Sequence, residues 1–414
     1  MFQGFFVERA AFFSNYYSSG MGDGAGNLPT QPGLLGSDFA FTGTTTMRYV
    51  KLSERNQFRL SYTPSYTARA HYSDWNSFDH DATLGFTRHI SPRLLMNFDL
   101  GATVRSLQQF HFGGSALGQV IDPSLGLAGA GSASGLDSNL LPASAESPAG
   151  MLLYGNRVFT GVANLGFRYS LSPRLALNVS FGAIRTQHLS SSADGVDDRY
   201  AIAQSTSGSG SIGLTYDLTQ RTQVGVSSDS MRQVSTIQDA YLTSTSGFIA
   251  RSLGRHWNVR LSAGTGITTV LRRAYADFPT APYVIGGGTL GYHTRSHTFS
   301  ANVSRRGGDS YGVGSGTSVS VGGSWDWADL RNRWQVSTAV NRQYLQGTGS
   351  LQNLPSWHVT AAITKSLTRE FALTTQYSYI TSGYAFAANA FTPTQHALRV
   401  GIVWTPLVPA LHWR

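Results

Sequence analysis

The sequence predicts an all-β chain whose strands close into one antiparallel sheet of about eighteen members. Three observations carry that expectation: strict alternation, a recurring turn mark, and connections that are short on one side and long on the other. Alternation is clearest after "LSPR" at 171–174, where Leu175, Leu177, Val179, Phe181 and Ala183 fall on one face. Asn178, Ser180 and Gly182 fall on the opposite face. After "ISPR" at 90–93 the pattern returns, with Met96, Phe98, Leu100, Ala102 and Val104 opposite Asn97, Asp99, Gly101, Thr103 and Arg105. A period of two is the signature of a strand with one apolar and one polar face.

The turn mark recurs in looser form as "LSER" at 52–55, "LTQR" at 218–221, "SLGRH" at 252–256, "HTRSH" at 293–297, "LRNR" at 330–333 and "SLTRE" at 366–370. Small polar residues and Pro supply tight turns there. Alternating runs flank them: "FRLSYTPSY" from 58, "ANLGFRYSL" from 163, "WNVRLSAGT" from 257, "TFSANVSRR" from 298 and "FALTTQYSY" from 371. Between these hairpins lie longer, polar, Gly-rich stretches at 71–80, 106–156, 190–198, 236–240, 272–281, 307–314, 348–355 and 384–393. Eight hairpins make sixteen strands, counting "SDFAFTGTTTMRYVKL" before residue 52. "HALRVGIVWTPL" from 396 adds one. The aromatic run "FFVERAAFFSNYY" from 5 adds another, although its alternation is poor. An even total is what a single-chain bacterial barrel requires.

Composition narrows the class. The chain has 414 residues, 46 Gly, 41% hydrophobic residues, only 13% charged residues and no Cys. A soluble globular domain carries about 25% charge. Apolar bulk does not fill the gap, because mean hydropathy is −0.14. No composition shift marks a linker, so 1–414 is expected to be one domain. No apolar run of eighteen residues exists to make a transmembrane helix. The start lacks a basic n-region, an apolar h-region and a cleavage site, as expected of a mature chain or a fragment. Absence of Cys excludes disulfides and thiolate metal sites and suits an oxidising compartment. The net charge is +9, yet lysine is scarce and no basic run suggests nucleic acid.

A membrane resolves the composition. In hydrocarbon every backbone amide must be paired, so strands can cross only as a closed barrel. Residues facing lipid then alternate with residues facing water, and mean hydropathy stays low. Tyr49, Tyr169, Trp257, Trp325, Trp327, Trp334, Trp357 and Phe371, at strand ends, fit interfacial girdles. Arg55, Arg93, Arg174, Arg221, Arg255, Arg295, Arg333 and Arg369 would ring the short-turn rim. A soluble propeller or a row of sandwiches also repeats short strands. Propeller blades keep a fixed period, however, whereas the long stretches here run from five residues to about fifty.

With these features the chain resembles Gram-negative outer-membrane β-barrels: ten-residue alternating strands, short turns on one side, long loops on the other. "RVGIVWTPL" near the C-terminus is similar to the insertion signal of that superfamily, though the chain runs on through "VPALHWR". The resemblance implies short periplasmic turns, long extracellular loops and location in the bacterial outer membrane. It implies outer-membrane lipids and lipopolysaccharide as surroundings. It also implies that 106–156 is the third extracellular loop, which in general porins folds into the lumen.

The polar faces then define the lumen. Arg48, Arg59, Arg69, Arg105, Arg168, Arg260, Arg306 and Arg399 point there, with fewer acids, Asp99, Asp229 and Asp326. Excess guanidinium in a low-dielectric wall attracts anions. The same arginines could instead brace loop carboxylates, and both readings stand. The segment 106–156 is equally open as a lumen constriction or a surface loop. Acidic clusters "DWNSFDHD" at 74–81 and "DGVDDR" at 194–199 offer oxygen ligands for Ca²⁺ but lack a full consensus, and are expected to be solvated loops. "GGGTLG" and "GVGSG" lack the strand-to-helix context of a nucleotide loop. No motif gathers the scattered Ser and His into a catalytic site, so no catalytic residue, metal or cofactor is assigned. His188, His293 and His358 are expected at the lumen or rim, and lumen aromatics are expected to be few.

The functional expectation is a channel for small anionic or neutral solutes with a weak anion preference. The alternative is an export conduit or scaffold in a polysaccharide-secretion or cell-surface assembly. Nothing in the sequence sets the oligomeric state.

Overall fold

The computed structural model describes residues 2–21, 36–70, 76–106, 157–189, 204–235, 238–273, 282–309, 315–329, 333–347, 354–382, 384–386, 389–391 and 393–406. These are almost entirely strand. In chain order they are β1 (Phe2–Met21), β2 (Gly36–Leu52), β3 (Asn56–Arg69), β4 (Ser77–Ser91), β5 (Leu94–Ser106), β6 (Arg157–Ser170) and β7 (Leu175–His188). Then come β8 (Ser205–Thr219), β9 (Thr222–Ser235), β10 (Gln238–Leu253), β11 (Trp257–Arg273), β12 (Pro282–His293) and β13 (His297–Asp309). The last are β14 (Ser315–Ala328), β15 (Trp334–Gly347), β16 (Leu354–Ser366), β17 (Phe371–Ser382), β18 (Tyr384–Phe386), β19 (Asn389–Phe391) and β20 (Pro393–Trp404).

Eighteen of these strands form one sheet, and β18 and β19 pair separately. All pairings are antiparallel. Each strand from β2 to β17 lies beside its neighbours in sequence, and β17 continues to β20. β1 pairs with β2 along one side, Phe12 opposite Gly43, and with β20 along the other, Ala10 opposite Trp404. Every strand of the eighteen therefore has a partner on both sides.

The turn mark has a physical meaning. Ser91 Oγ accepts from the amides of Arg93 at 3.3 Å and Leu94 at 3.1 Å. Ser172 Oγ does the same for Arg174 at 3.3 Å and Leu175 at 3.1 Å. Thr368 Oγ1 repeats it with Glu370 and Phe371, at 3.2 and 3.0 Å. The hydroxyl thus satisfies amides that a two-to-four-residue turn leaves unpaired. Neighbouring turns are also stitched together. An amide near each strand end donates to a carbonyl of the preceding turn: His89 to Arg55, Ser170 to Arg93, Asp217 to Arg174 and Ser252 to Arg221. His293 to His256, Ala328 to Ser296, Ser366 to Arg333 and Thr405 to Glu370 complete the series, all at 2.7–2.9 Å. Those carbonyls lie in the backbone, so the arginine side chains stay exposed at all eight turns.

Gly254, in the turn between β10 and β11, has φ 73° with open space around it. A Cβ there meets no atom but does meet the left-handed backbone penalty of about 1–2 kcal/mol. Gly254→Val should lower unfolding free energy by about that much. A urea titration of the folded protein would measure it, and an unchanged midpoint would contradict the strained turn.

Several stretches expected as loops are strand. Ser77–Asp81, part of the acidic cluster at 74–81, begins β4: alternation with Phe78, Ala82, Leu84 and Phe86 extends through it, so the carboxylates are wall residues and not loop residues. Gln238–Ala240 belongs to β10, Gly307–Asp309 to β13, and part of 384–393 pairs as β18 and β19. The segment 107–156 and the cluster at 194–199 lie outside the described residues.

Burial is inverted relative to a soluble domain. Leu60, Phe181, Leu214, Leu261, Val303, Ile363 and Ile402 are exposed, whereas the residues most removed from solvent are small or polar: Ala40, Ala240, Thr67, Thr374 and Gln376. Large apolar side chains stand on the outside of the sheet and are not packed into a core.

Candidate functional site

Register decides which side chains share a face, because residues directly opposite in an antiparallel pair point the same way. Asp99 stands opposite Gly85 and Asn164, and Arg168 opposite Leu95 and Asn178. Asp229 lies between Ser211 and Ser244. Arg260 lies between Ala250 and Thr289. Asp326 lies between Thr298 and Ser337, and Arg399 between Gln376 and Asn15. Arg48 faces Ser61, beside Arg59, while Arg69 stands opposite Ala40. In the backbone register Arg105 and Arg306 stand opposite Val158 and Ser318. The nine of these residues whose side chains the structure describes thus fall on one face, opposite the exposed Leu, Phe and Val.

They are not gathered at one point. Arg48, Arg59 and Arg69 form a basic stretch on β2 and β3. The carboxylates Asp79 and Asp81 stand opposite Ser65 and Thr63 on the next strand. Hydroxyls and amides fill the surface between charges. Thr42 pairs with Thr67 at 3.0 Å, and Asn178 donates to Thr215 at 3.1 Å. Ser227 pairs with Ser246 at 3.2 Å, Ser300 with Ser324 at 2.7 Å, and Ser320 donates to Asn341 at 2.9 Å. Such cross-strand polar pairs satisfy a wall that cannot bury its polar atoms in a core. His293 and His358 take the same face, opposite Thr298 and Asn341, and the backbone of His188 stands opposite Val158.

Among the described side chains, two aromatics lie on this face. Phe248 is opposite Gly225, and a Cβ on Gly225 would collide with its ring. The ring lies across the glycine, and the Arg260 guanidinium sits 4.1 Å above it. Tyr283 similarly covers Gly266. A glycine across the strand leaves the floor on which a large ring lies flat against the sheet. The sequence signal was the pair of glycines Gly225 and Gly266, which mark close approach only once the register is known.

Among the described residues no group of three or more His, Cys, Asp or Glu could hold a metal ion. The arrangement offers fixed charges, hydroxyls and two aromatic plates along a wall.

No protein-family model and no curated protein matches the chain. Among solved structures the chain is similar to Pseudomonas aeruginosa OccK9 (OpdG), at 10% identity over 96% of this chain and 98% of that one, with a TM-score of 0.45. The outer membrane protein OpdK of Pseudomonas aeruginosa matches at 10% identity, 96% and 98% coverage and TM-score 0.44. OpdL of that organism matches at 12%, with the same coverages and TM-score 0.43.

Proposed function

We propose that the ring of strands is a closed transmembrane β-barrel in the outer membrane of a Gram-negative bacterium, one domain with its eight short turns in the periplasm. Its polar face lines a channel that passes small solutes with a weak preference for anions. The observation that carries this reading is the inverted burial: large apolar side chains are exposed on one face of a sheet whose every strand is paired on both sides. A lipid phase is the solvent in which that surface is stable.

Charge supports the anion preference and keeps it weak. Arg48, Arg59 and Arg69 concentrate positive field on two adjacent strands, while Asp79 and Asp81 on β4 oppose it. The test is conductance in planar bilayers, with reversal potentials read across a salt gradient. Replacing Arg48, Arg59 and Arg69 together by Ser should shift the reversal potential toward cations. The shift should be largest at low salt, because screening acts within about 10 Å at 0.1 M. A conducting triple variant with an unshifted reversal potential at low salt would sink the anion reading.

One observation favours a second reading, an export conduit or scaffold for polysaccharide. Phe248 and Tyr283 lie flat on the polar face among serine hydroxyls, a surface on which sugar rings can stack. That role would lead if the triple variant conducts unchanged and oligosaccharide blocks the current only while Phe248 and Tyr283 are present.

A further inference from the structure

Arg305 and Arg342 are two of the arginines on the apolar face, with Arg88, Arg185, Arg232 and Arg251. The register groups Arg305 and Arg342 with Val303, Val321 and Val340, not with Arg306, Asp326 and Asn341. The Arg342 guanidinium lies over the Tyr344 ring at 4.3 Å and the Trp357 ring at 4.7 Å. Its Nε is enclosed and has no hydrogen-bond partner among the described residues. Arg305 is exposed. Around the two on that face stand Val303, Val319, Val321, Val340, Val359 and Thr381, none of them a carboxylate.

Their depth follows from strand geometry. Trp334 and Tyr344 share a face of β15 and are ten residues apart. At about 3.4 Å per residue and a tilt of about 40°, that is roughly 26 Å along the barrel axis, close to the apolar band of about 25 Å. Trp334 marks the short-turn edge, where Lys365 lies over its ring at 4.9 Å. Tyr344 therefore marks the opposite edge, with Arg342 two residues below it. Arg305 and Tyr344 both stand opposite Val319, two inter-strand steps apart, which at that tilt puts them within about 6 Å of each other in height. Two inter-strand steps and two residues separate the Cα atoms of the two arginines, about 12 Å.

A guanidinium backed by two rings is held in plane, with its N–H edge free to donate. At that depth water is scarce, and none of those described neighbours supplies an anion. The acceptor comes from the membrane. We propose that Arg305 and Arg342 form a docking site for a lipid headgroup with two phosphates, one cation to each, in the leaflet on the long-connection side. Arg–phosphate pairing is charge-assisted and bidentate, and the aromatic shelf of Tyr344 and Trp357 fits the sugar backbone of a saccharolipid. The proposal rests on the barrel reading above.

Native mass spectrometry of the full chain in detergent tests it, with bis-phosphorylated lipid A as the probe. The unsubstituted chain should retain one lipid through these residues, and R305A/R342A should retain it at least about tenfold less. Lipid A stripped of both phosphates should be retained by neither. Faster migration of the unheated than the boiled sample confirms that each variant is folded. R305A alone, at an exposed position, serves if the double variant does not fold, and should weaken retention in the same direction. Equal retention by the double variant and the unsubstituted chain overturns the proposal. So does equal retention of dephosphorylated lipid. Displacement of the lipid by millimolar inorganic phosphate would mark an aqueous phosphate site and also overturn it. If the unsubstituted chain shows no heat-dependent migration, it is the barrel reading that fails.

Discussion

Val179→Arg should depopulate the folded, membrane-inserted chain by about 30- to 1000-fold, whereas Asn178→Arg, one residue away, should leave it nearly unchanged. Val179 is mid-strand in β7, opposite Phe167 and Ile212, with Phe181 exposed beside it on the same face. In the barrel reading a guanidinium there sits near the bilayer midplane and costs about 2–4 kcal/mol. Asn178 is opposite Arg168 and Gly213 on the polar face. Substitution there loses one hydrogen bond to Thr215, worth about 1 kcal/mol at most, and gains an aqueous environment for the new charge. Phe98→Arg and Asn97→Arg should repeat the contrast on β5, where Phe98 stands opposite Phe86 and Leu165. Urea equilibria in lipid vesicles, followed by tryptophan fluorescence, report the difference. Comparable losses on both faces would show that the apolar face does not meet lipid.

Deleting residues 2–21 should abolish the compact form that migrates faster unheated than boiled. β1 is the strand through which the first and last parts of the chain meet, since it pairs with β2 and with β20. Both of those are antiparallel to it, so they run in the same direction as each other. Joining them directly would require a parallel seam in an otherwise antiparallel sheet, with a new hydrogen-bond register. Leaving them unjoined would expose two rows of amides and carbonyls to hydrocarbon, at several kcal/mol for each unsatisfied group. The shortened chain should therefore be retained with aggregates or remain unfolded in detergent. A truncated chain that kept its heat-dependent migration and its conductance would show that β1 is dispensable.

The strand pattern and the turns were legible because both are local. Period-two alternation in 175–183 or 96–105 needs no partner to be read, and parity alone placed Arg59, Arg168, Asp229 and Arg399 on the face opposite the large apolar residues. The Ser-Pro-Arg mark was legible for the same reason: its hydroxyl caps amides only two and three residues away. β1 was the weak point. Its alternation is poor, and a register shift between Val7 and Arg9 breaks the parity.

By itself, then, the sequence determined the all-β class, the positions of the eight short turns and the polar or apolar face of each well-alternating strand. It did so because side-chain direction in a strand is set by residue parity. Tertiary structure decided what stands beside what across the sheet. It brought Phe248 over Gly225, set Asp79 and Asp81 next to the basic stretch of β2 and β3, and placed Arg305 and Arg342 on one outward patch. Those neighbours are tens of residues apart in the chain, and their meeting depends on inter-strand register. A shift of one residue in that register would turn each of them to the other face.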